Sequence, residues 1–174
     1  MDKTLYSLAE SVGQALNSKG IFMATAESCT GGWVAKCMTD VPGSSAWFDC
    51  GFTVYNREAK QQMLGVPAAV IDAHGEVSEA TVEAMAEGAI AQSRAAVTVG
   101  VSGIAGPGGG SEEKPVGTVY FAWCIADRVA GVMRNSKTTS CREVFEGDRE
   151  AVRRQAVARA LQGVLELLEN HASA

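Results

Sequence analysis

The pattern of hydrophobic and polar residues predicts helices and strands that alternate along most of the chain. The first segment is typical of an amphipathic helix, because Leu5, Val12 and Leu16 recur at helical spacing over residues 3–19 and Gly20 follows. The other predicted helices cover residues 31–40, 57–64, 78–94 and 148–169. Asn56 and Ser78 are predicted to cap the starts of the second and third of these, and Gly65 the end of the second. The predicted strands cover residues 21–27, 48–55, 95–103, 118–126 and 129–138.

The order of these elements indicates one α/β domain over residues 1–174. Alternation of helices and strands favours a layered fold, and the hairpin formed by the last two strands makes the sheet mixed. Pro67 is predicted to lie in a short turn between two helices. No apolar run approaches the ~20 residues of a membrane span, and the first ten residues lack the apolar core of a secretory signal.

Composition and charge narrow the classes of function. Hydrophobic residues make up 47% of the chain and charged residues 20%, which is typical of globular proteins and excludes a disordered chain. The net charge of −5 argues against a protein that binds a nucleic-acid duplex. Five cysteines without a CxxC pair argue against a zinc ribbon or a disulfide framework. We therefore predict a cytoplasmic protein with reduced thiols and with no metal, nucleic-acid or membrane partner.

The turn over residues 25–32 is the first candidate for chemistry, because it lies between a predicted buried strand and a helix. Ligands of open α/β sheets bind outside the carboxyl ends of strands, and the hydroxyl of Ser28 is predicted to stand at that edge. Backbone N–H groups at the start of the following helix favour an anion nearby. The alternative is that the Ser and Thr residues of this turn only cap the helix.

Two further segments are candidates. Tyr55 ends a predicted strand and Lys60 lies on the first turns of the next helix, so both could face one site; alternatively Lys60 is a surface lysine beside a half-buried tyrosine. The glycine-rich segment 103–117 connects two predicted core strands and could form an anion-binding nest of N–H groups. It has neither P-loop spacing nor a helix after it, so the alternative is a mobile surface loop.

The scarcity of histidine restricts the mechanism. A Ser-His-Asp triad needs a histidine, yet the chain has only His74, predicted in a turn, and His171, near the carboxyl terminus. If Ser28 is a nucleophile, a lysine is the more plausible base, as in Ser-Lys hydrolases. Lys60 would then have to be neutral near pH 7, a shift of ~3 units from its usual pKa of ~10.4. Partial burial could supply that shift.

Four motifs in order resemble the CinA C-terminal domain family. They are TAESCTGG at 25–32, YNREAK at 55–60, GVSGIAGPGGGSEEKPVGTVYFA at 100–122 and FEGDREAVRRQA at 145–156. The resemblance extends from about residue 5 to 165 and implies a three-layer α/β/α sandwich with a mixed, mostly parallel sheet. It also implies an amidohydrolase of pyridine-nucleotide salvage that converts nicotinamide mononucleotide and water to nicotinate mononucleotide and ammonia. Some relatives carry an extra N-terminal domain; because a helix is predicted from residue 3, we expect the stand-alone form.

The resemblance also implies roles for particular residues. Ser28 corresponds to the nucleophile, and Tyr55 and Lys60 to the tyrosine and lysine of the site. The expected substrate-binding residues are Cys29, Thr30, Gly31, Gly103, Gly106 and Arg149. The role of Arg142 is left open, as is whether Tyr55 relays protons or only orients Lys60. The substrate is a small nucleotide, no cofactor is expected, and a homodimer is implied.

Three alternatives remain. Cys29 could replace Ser28 as the nucleophile, because a thiolate at a helix start has a lowered pKa. The chain could instead be a non-catalytic nucleotide-binding or regulatory module, related to competence or DNA-damage proteins. Arg149 could equally form only a surface ion pair with Glu146 or Glu150.

Overall fold

A computed structural model of the chain describes residues 2–172. The helices are α1 (Lys3–Lys19), α2 (Trp33–Asp40), α3 (Arg57–Leu64), α4 (Ala68–His74), α5 (Glu79–Ala91) and α6 (Arg149–Ala172). The strands are β1 (Met23–Glu27), β2 (Phe48–Thr53), β3 (Val97–Gly103), β4 (Thr118–Val129) and β5 (Val132–Val144). One turn of 3₁₀-helix, Ser44–Ala46, leads into β2.

The five strands form one mixed sheet in the order β2-β1-β3-β4-β5. Strand β1 pairs in parallel with both β2 and β3, whereas β4 runs antiparallel to its neighbours β3 and β5. Four of the five strands therefore share one direction, as the prediction of a mixed, mostly parallel sheet requires. Because β2, β1 and β3 are parallel neighbours, their carboxyl ends meet at one edge of the sheet.

Helices cover both faces of the sheet and give it two separate apolar cores. On one face α1, α2 and α6 bury residues such as Leu16, Met38 and Leu161 against the sheet. On the other face α3, α4 and α5 bury Leu64 and Met85, among others. The three-layer α/β/α sandwich is thus confirmed. Within residues 2–172 no helix has both the length and the apolar character that a membrane span needs.

Local signals explain where several helices begin and end. The side chains of Asp2, Asn56 and Ser78 accept hydrogen bonds from backbone N–H groups in the first turns of α1, α3 and α5. Each cap of this kind contributes about 1 kcal/mol to helix stability. Gly20 and Gly65 end α1 and α3 in the left-handed conformation, which glycine adopts without steric cost. The caps predicted at Gly20, Asn56, Gly65 and Ser78 are therefore confirmed, whereas the cap at Asp2 was not predicted.

The structure corrects several details of the prediction, among them the end of β2, which stops at Thr53 so that Tyr55 lies beyond the strand. The segment after Pro67, predicted as a turn, contains α4, and His74 is its last residue. A helix of seven residues is too short for its periodicity to stand out in the sequence. Helix α5 ends at Ala91 rather than near Arg94. The hairpin extends to Val144 rather than residue 138. The prediction ended too early because β5 is an edge strand whose mostly exposed residues show little hydrophobic pattern.

Candidate active site

Ser28 lies at the carboxyl edge of the sheet, directly after the fully buried strand β1. Its backbone N–H donates to the carbonyl of Val101 in β3 at 2.9 Å, which continues the sheet by one residue. Its own carbonyl accepts from Gly31 N at 3.0 Å and closes the following turn. The side chain is buried, with 7% of the residue exposed. The strand therefore delivers the hydroxyl to the predicted edge, in a partly enclosed position.

Lys60 reaches this hydroxyl from α3. Its Nζ lies 3.3 Å from Ser28 Oγ and 3.0 Å from the carbonyl oxygen of Tyr55, and Ser28 Oγ lies 3.5 Å from the same carbonyl. Lys60 is fully buried, so it is not the surface lysine of the alternative interpretation. Burial lowers its pKa, while the nearby carboxylate of Glu76 acts in the opposite direction. A buried ammonium without a carboxylate hydrogen-bond partner favours the neutral amine, which can accept a proton.

Glu27, which the sequence analysis did not single out, caps helix α2. Its buried carboxylate accepts hydrogen bonds from the backbone N–H groups of Gly32, Val34 and Ala35 and from the hydroxyl of Thr30, at 2.7–3.1 Å. Glu27 accepts the hydrogen bonds of the backbone N–H groups at the start of α2, so the hydroxyl of Ser28 does not cap this helix. The capping alternative is therefore wrong for Ser28. A charged residue at the end of an otherwise apolar strand was the signal that could have identified Glu27.

The backbone of the turn offers unused donors beside Ser28. Within residues 2–172 the N–H groups of Cys29 and Thr30 donate to no other residue. Their carbonyls accept hydrogen bonds from Nε and Nη2 of Arg153 on α6, both at 3.1 Å. Arg153 was also missed, because nothing in its helical context predicts a contact with a turn more than 120 residues away. The turn is thus fixed from both sides while two N–H groups stay available.

Cys29 is not prepared to act as a thiolate. Burial raises the pKa of its thiol to about 12, and the adjacent carboxylate of Glu27 acts in the same direction. The expectation of a lowered pKa at the helix start is therefore wrong. The carboxylate of Glu27 occupies the N–H groups of α2 that would have stabilised the thiolate.

Tyr55 and Arg149 form a second group of contacts at the entrance of the site. The Tyr55 side chain is 60% exposed, and its hydroxyl accepts from Nη2 of Arg149 at 3.1 Å. Nη1 of Arg149, the first residue of α6, donates to the carbonyl of Gly106 at 2.7 Å. Within residues 2–172 Arg149 forms no ion pair, so the surface pairing with Glu146 or Glu150 is not observed. In this structure Tyr55 contacts Lys60 through its carbonyl rather than its hydroxyl.

The glycine-rich segment 104–117 has no regular structure, as predicted, but side chains hold it in place. Nζ of Lys114 donates to the carbonyl of Val77 at 2.7 Å, and Nη2 of Arg142 donates to the carbonyl of Glu113 at 2.7 Å. Arg142 thus supports the outer side of the loop. These contacts tie the segment to β5 and to the turn between α4 and α5.

The two glycines predicted to bind substrate have structural reasons to be glycine. A Cβ at Gly103 would lie 2.7 Å from a methyl group of Val119, so a side chain there would disturb the sheet. Gly106 has a φ of +83°, a conformation that other residues adopt at a cost. Gly106 contributes its carbonyl to Arg149.

Ser28 and Lys60 line a cavity of about 170 Å³. The lining residues are Ser28, Cys29, Tyr55, Lys60, Glu76, Val77, Ser102, Gly103, Ala105 and Arg149. The structure thus brings together six of the predicted site residues. Thr30 and Gly31 instead line a neighbouring cavity of about 520 Å³ between α1 and α2. The site cavity is smaller than the ~300 Å³ typical of a complete ligand pocket, so it suits only the reacting part of a larger molecule.

Comparisons with known proteins give matches over nearly the whole chain. The model of the CinA C-terminal domain matches residues 5–168. The chain is 57% identical over 161 residues to the nicotinamide-nucleotide amidohydrolase PncC of Escherichia coli strain K12, covering 92% of this chain and 93% of that protein. It is 49% identical over 161 residues to PncC of Pseudomonas putida, covering 92% and 95%. The crystal structure of the competence/damage inducible protein CihA from Agrobacterium tumefaciens has a TM-score of 0.87 at 38% identity, covering 96% and 97%.

Proposed function

Because the chain belongs to the CinA C-terminal domain family, we propose that it is an amidohydrolase that converts nicotinamide mononucleotide and water to nicotinate mononucleotide and ammonia. The proposal places this reaction in pyridine-nucleotide salvage. One observation carries the chemistry: the buried Nζ of Lys60 lies 3.3 Å from the hydroxyl of Ser28 in a cavity at the sheet edge. That contact is the one a serine nucleophile with a lysine base needs.

In the first half of the proposed reaction, Ser28 Oγ attacks the carboxamide carbon while neutral Lys60 accepts the hydroxyl proton. The new Oγ–C bond gives a tetrahedral intermediate whose oxygen carries the negative charge. When the C–N bond breaks, Lys60 returns the proton to the departing nitrogen and ammonia leaves. The product of this half is a nicotinoyl ester on Ser28, and Lys60 is neutral again.

In the second half, a water molecule takes the place of ammonia. Lys60 accepts a proton from the water as its oxygen attacks the ester carbon, and the proton then passes to Ser28 Oγ as the ester bond breaks. The acid that forms loses its proton to solvent, so nicotinate mononucleotide leaves as a carboxylate. One water is consumed and one ammonia is released in each cycle, with no cofactor.

The N–H groups of Cys29 and Thr30 are the proposed donors to the negatively charged oxygen. Cys29 directly follows Ser28 and lines the site cavity, and the N–H of Thr30 is the next one along the same turn. Neither N–H donates to another residue in the described chain. Arg153 holds the carbonyls of the same two residues, so the turn is fixed before substrate binds. One donor of this kind is worth about 3 kcal/mol of transition-state stabilisation.

Arg149 and the loop 104–117 are proposed to bind the part of the nucleotide that the small cavity excludes. The exposed guanidinium of Arg149 lies at the cavity lining and at the first residue of α6, where a helix start also favours a phosphate. Tyr55 is proposed as a positioning residue: its carbonyl orients Lys60 and its hydroxyl orients Arg149. This assignment gives Tyr55 no proton-relay role.

The proposal also covers the location of the protein and its oligomeric state. All five cysteines are free, which supports a reducing, cytoplasmic location. The homodimer stays a prediction from the resemblance to the family.

The test is release of ammonia from nicotinamide mononucleotide by the purified protein. We expect turnover by the wild-type chain and almost none by Ser28→Ala prepared in the same way, which controls for contaminating amidases. Absence of ammonia from the wild-type protein, with nicotinamide mononucleotide still bound, would instead support the non-catalytic module.

A further inference from the structure

Glu76 is a carboxylate in the site cavity to which the proposed reaction gives no role. It lies in the turn between α4 and α5, and its backbone carbonyl accepts from the hydroxyl of Ser102 at 2.9 Å, which ties the turn to the end of β3. The residue is half-buried and lines the cavity with Ser28 and Lys60. Within residues 2–172 its carboxylate has neither a hydrogen bond nor an ion pair.

The other ionisable groups of the cavity do not neutralise this carboxylate. They are Cys29, Tyr55, Lys60 and Arg149. The buried thiol of Cys29 stays neutral, because its pKa is raised to about 12. Arg149 donates to Gly106 and Tyr55 instead. Outside the lining, Nζ of Lys114 donates to the carbonyls of His74 and Val77 on the same turn, and no ion pair joins it to Glu76 within residues 2–172. Since Lys60 must be neutral whenever it acts as the base, the lining then holds a carboxylate without an ion-pair partner.

We propose that Glu76 is a specificity-determining residue that favours nucleotides whose pyridine ring carries a positive charge and weakens retention of the acid product. The inference rests on the proposed function and deepens it. The ring of nicotinamide mononucleotide is a cation because its nitrogen bears the ribose. A carboxylate beside the reacting group attracts that ring, and it repels the carboxylate that replaces the neutral amide after hydrolysis.

Glu76 also affects the base. Its charge stabilises the protonated form of Lys60, against the effect of burial. Removing the charge therefore lowers the pKa of Lys60 further and makes the neutral amine available at lower pH. The acid limb of the pH profile of kcat/KM moves to lower pH in Glu76→Gln, although the same change weakens binding of the substrate.

The experiment compares two nucleotides that differ in ring charge. Equilibrium binding is measured by calorimetry in a Ser28→Ala background, with nicotinamide mononucleotide and with its 1,4-dihydro form, which has the same amide, ribose and phosphate but a neutral ring. The protein with Glu76 is expected to prefer the cationic ring by about threefold to tenfold, the range of a partly screened charge pair. Glu76→Gln is expected to lose the preference, and Glu76→Asp to keep part of it.

Glu10→Gln is the matched control, since it removes the same charge from an exposed residue of α1 that belongs neither to the cavity nor to the loop 104–117. It should keep the preference and the pH profile. In the Ser28 background, the ratio of substrate affinity to nicotinate mononucleotide affinity should fall about threefold to tenfold in Glu76→Gln.

A failure of the proposed function can be distinguished from a failure of the role proposed for Glu76. No ammonia from the wild-type protein overturns the proposed function but leaves the ring-charge comparison measurable. A preference that survives in Glu76→Gln, or an equal loss in Glu10→Gln, overturns the role of Glu76. If neither nucleotide binds, both proposals are overturned.

Discussion

Basic side chains lie beside a cavity at each end of the sheet, and the two ends differ in the partners that these side chains have. At the amino end of β1 and β3, a cavity of about 740 Å³ is lined by residues that include Arg94 and Arg128. Arg94 pairs with Asp49 at 2.7 Å and stacks over the ring of Phe22. Arg128 donates to backbone carbonyls, among them that of Ile90 at 2.6 Å. At this end Arg94 and Arg128 therefore have carboxylate, ring and carbonyl partners.

At the carboxyl end the cavity is smaller, but its lysine is buried beside a hydroxyl and one carbonyl. Within residues 2–172 no carboxylate is hydrogen-bonded to Lys60, so burial lowers the pKa of its amine. The comparison teaches that the volume of a cavity does not locate chemistry. An incompletely compensated charge does, because its protonation state is the one that can change near neutral pH.

The largest expected effect comes from removing the nucleophile. Ser28→Ala should lower kcat for nicotinamide mononucleotide by at least about a thousandfold while leaving the melting temperature nearly unchanged. Cys29→Ala should retain most of the turnover, because the buried thiol has a high pKa. Rates of ammonia release and thermal melts of both variants provide the measurement. Substantial activity in Ser28→Ala would end the serine mechanism.

The next effect tests whether Lys60 must lose its proton. Lys60→Arg keeps a positive charge but cannot become neutral, so its activity should fall at least about a hundredfold. In the wild-type enzyme kcat/KM should rise with pH through the lowered pKa of Lys60 and fall about tenfold per pH unit below it. Retention of more than about a tenth of the wild-type rate by Lys60→Arg, a loss under ~1.4 kcal/mol, would argue that Lys60 acts only as a cation.

A smaller, substrate-dependent effect is expected at Arg149. Its guanidinium is held by Gly106 and Tyr55 but has no anionic partner within the described residues. Arg149→Ala should raise KM for nicotinamide mononucleotide about tenfold or more, whereas the riboside without phosphate should be affected little. Steady-state kinetics with both substrates are the measurement. Equal effects on the two would show that Arg149 does not contact the phosphate.

The smallest effect on activity is expected at the other end of the sheet. Arg128→Met removes donors from carbonyls at the end of α5, including those of Ile90, Ser93 and Ala95. The free energy of unfolding should fall by about 1–3 kcal/mol, while kcat and KM stay within about twofold of wild type. Chemical denaturation and steady-state kinetics check this. A large loss of activity in a folded Arg128→Met protein would contradict the contrast between the two ends.

The sequence predicted those helices and strands that are determined by residues close together in the chain. Helix α1 was found from its apolar spacing and Gly20, and α3 from Asn56 and Gly65. Ser28 and Lys60 were singled out because one follows a buried strand and the other lies in the first turns of a helix, while their roles came from the resemblance to the family.

The missing parts depend on distant partners. Arg153 reaches the carbonyl of Cys29 across 124 positions, and Arg142 reaches Glu113 from an edge strand. Glu76 and Lys60 line one cavity although α4, whose segment was predicted as a turn, lies between them in the sequence. The pKa of the Cys29 thiol is raised rather than lowered because the thiol is buried, and because Glu27 occupies the N–H groups at the start of α2.

The account depends most on a covalent bond to Ser28, and rapid-quench mass spectrometry tests it directly. Wild-type protein is mixed with excess nicotinamide mononucleotide, quenched in acid within the first turnover, digested and fragmented to separate Ser28 from Cys29. The account predicts an ester adduct of the nicotinate nucleotide on Ser28, formed as ammonia is released and absent from Ser28→Ala. An adduct on Cys29, or ammonia release in the first turnover with no adduct on the protein, would contradict it.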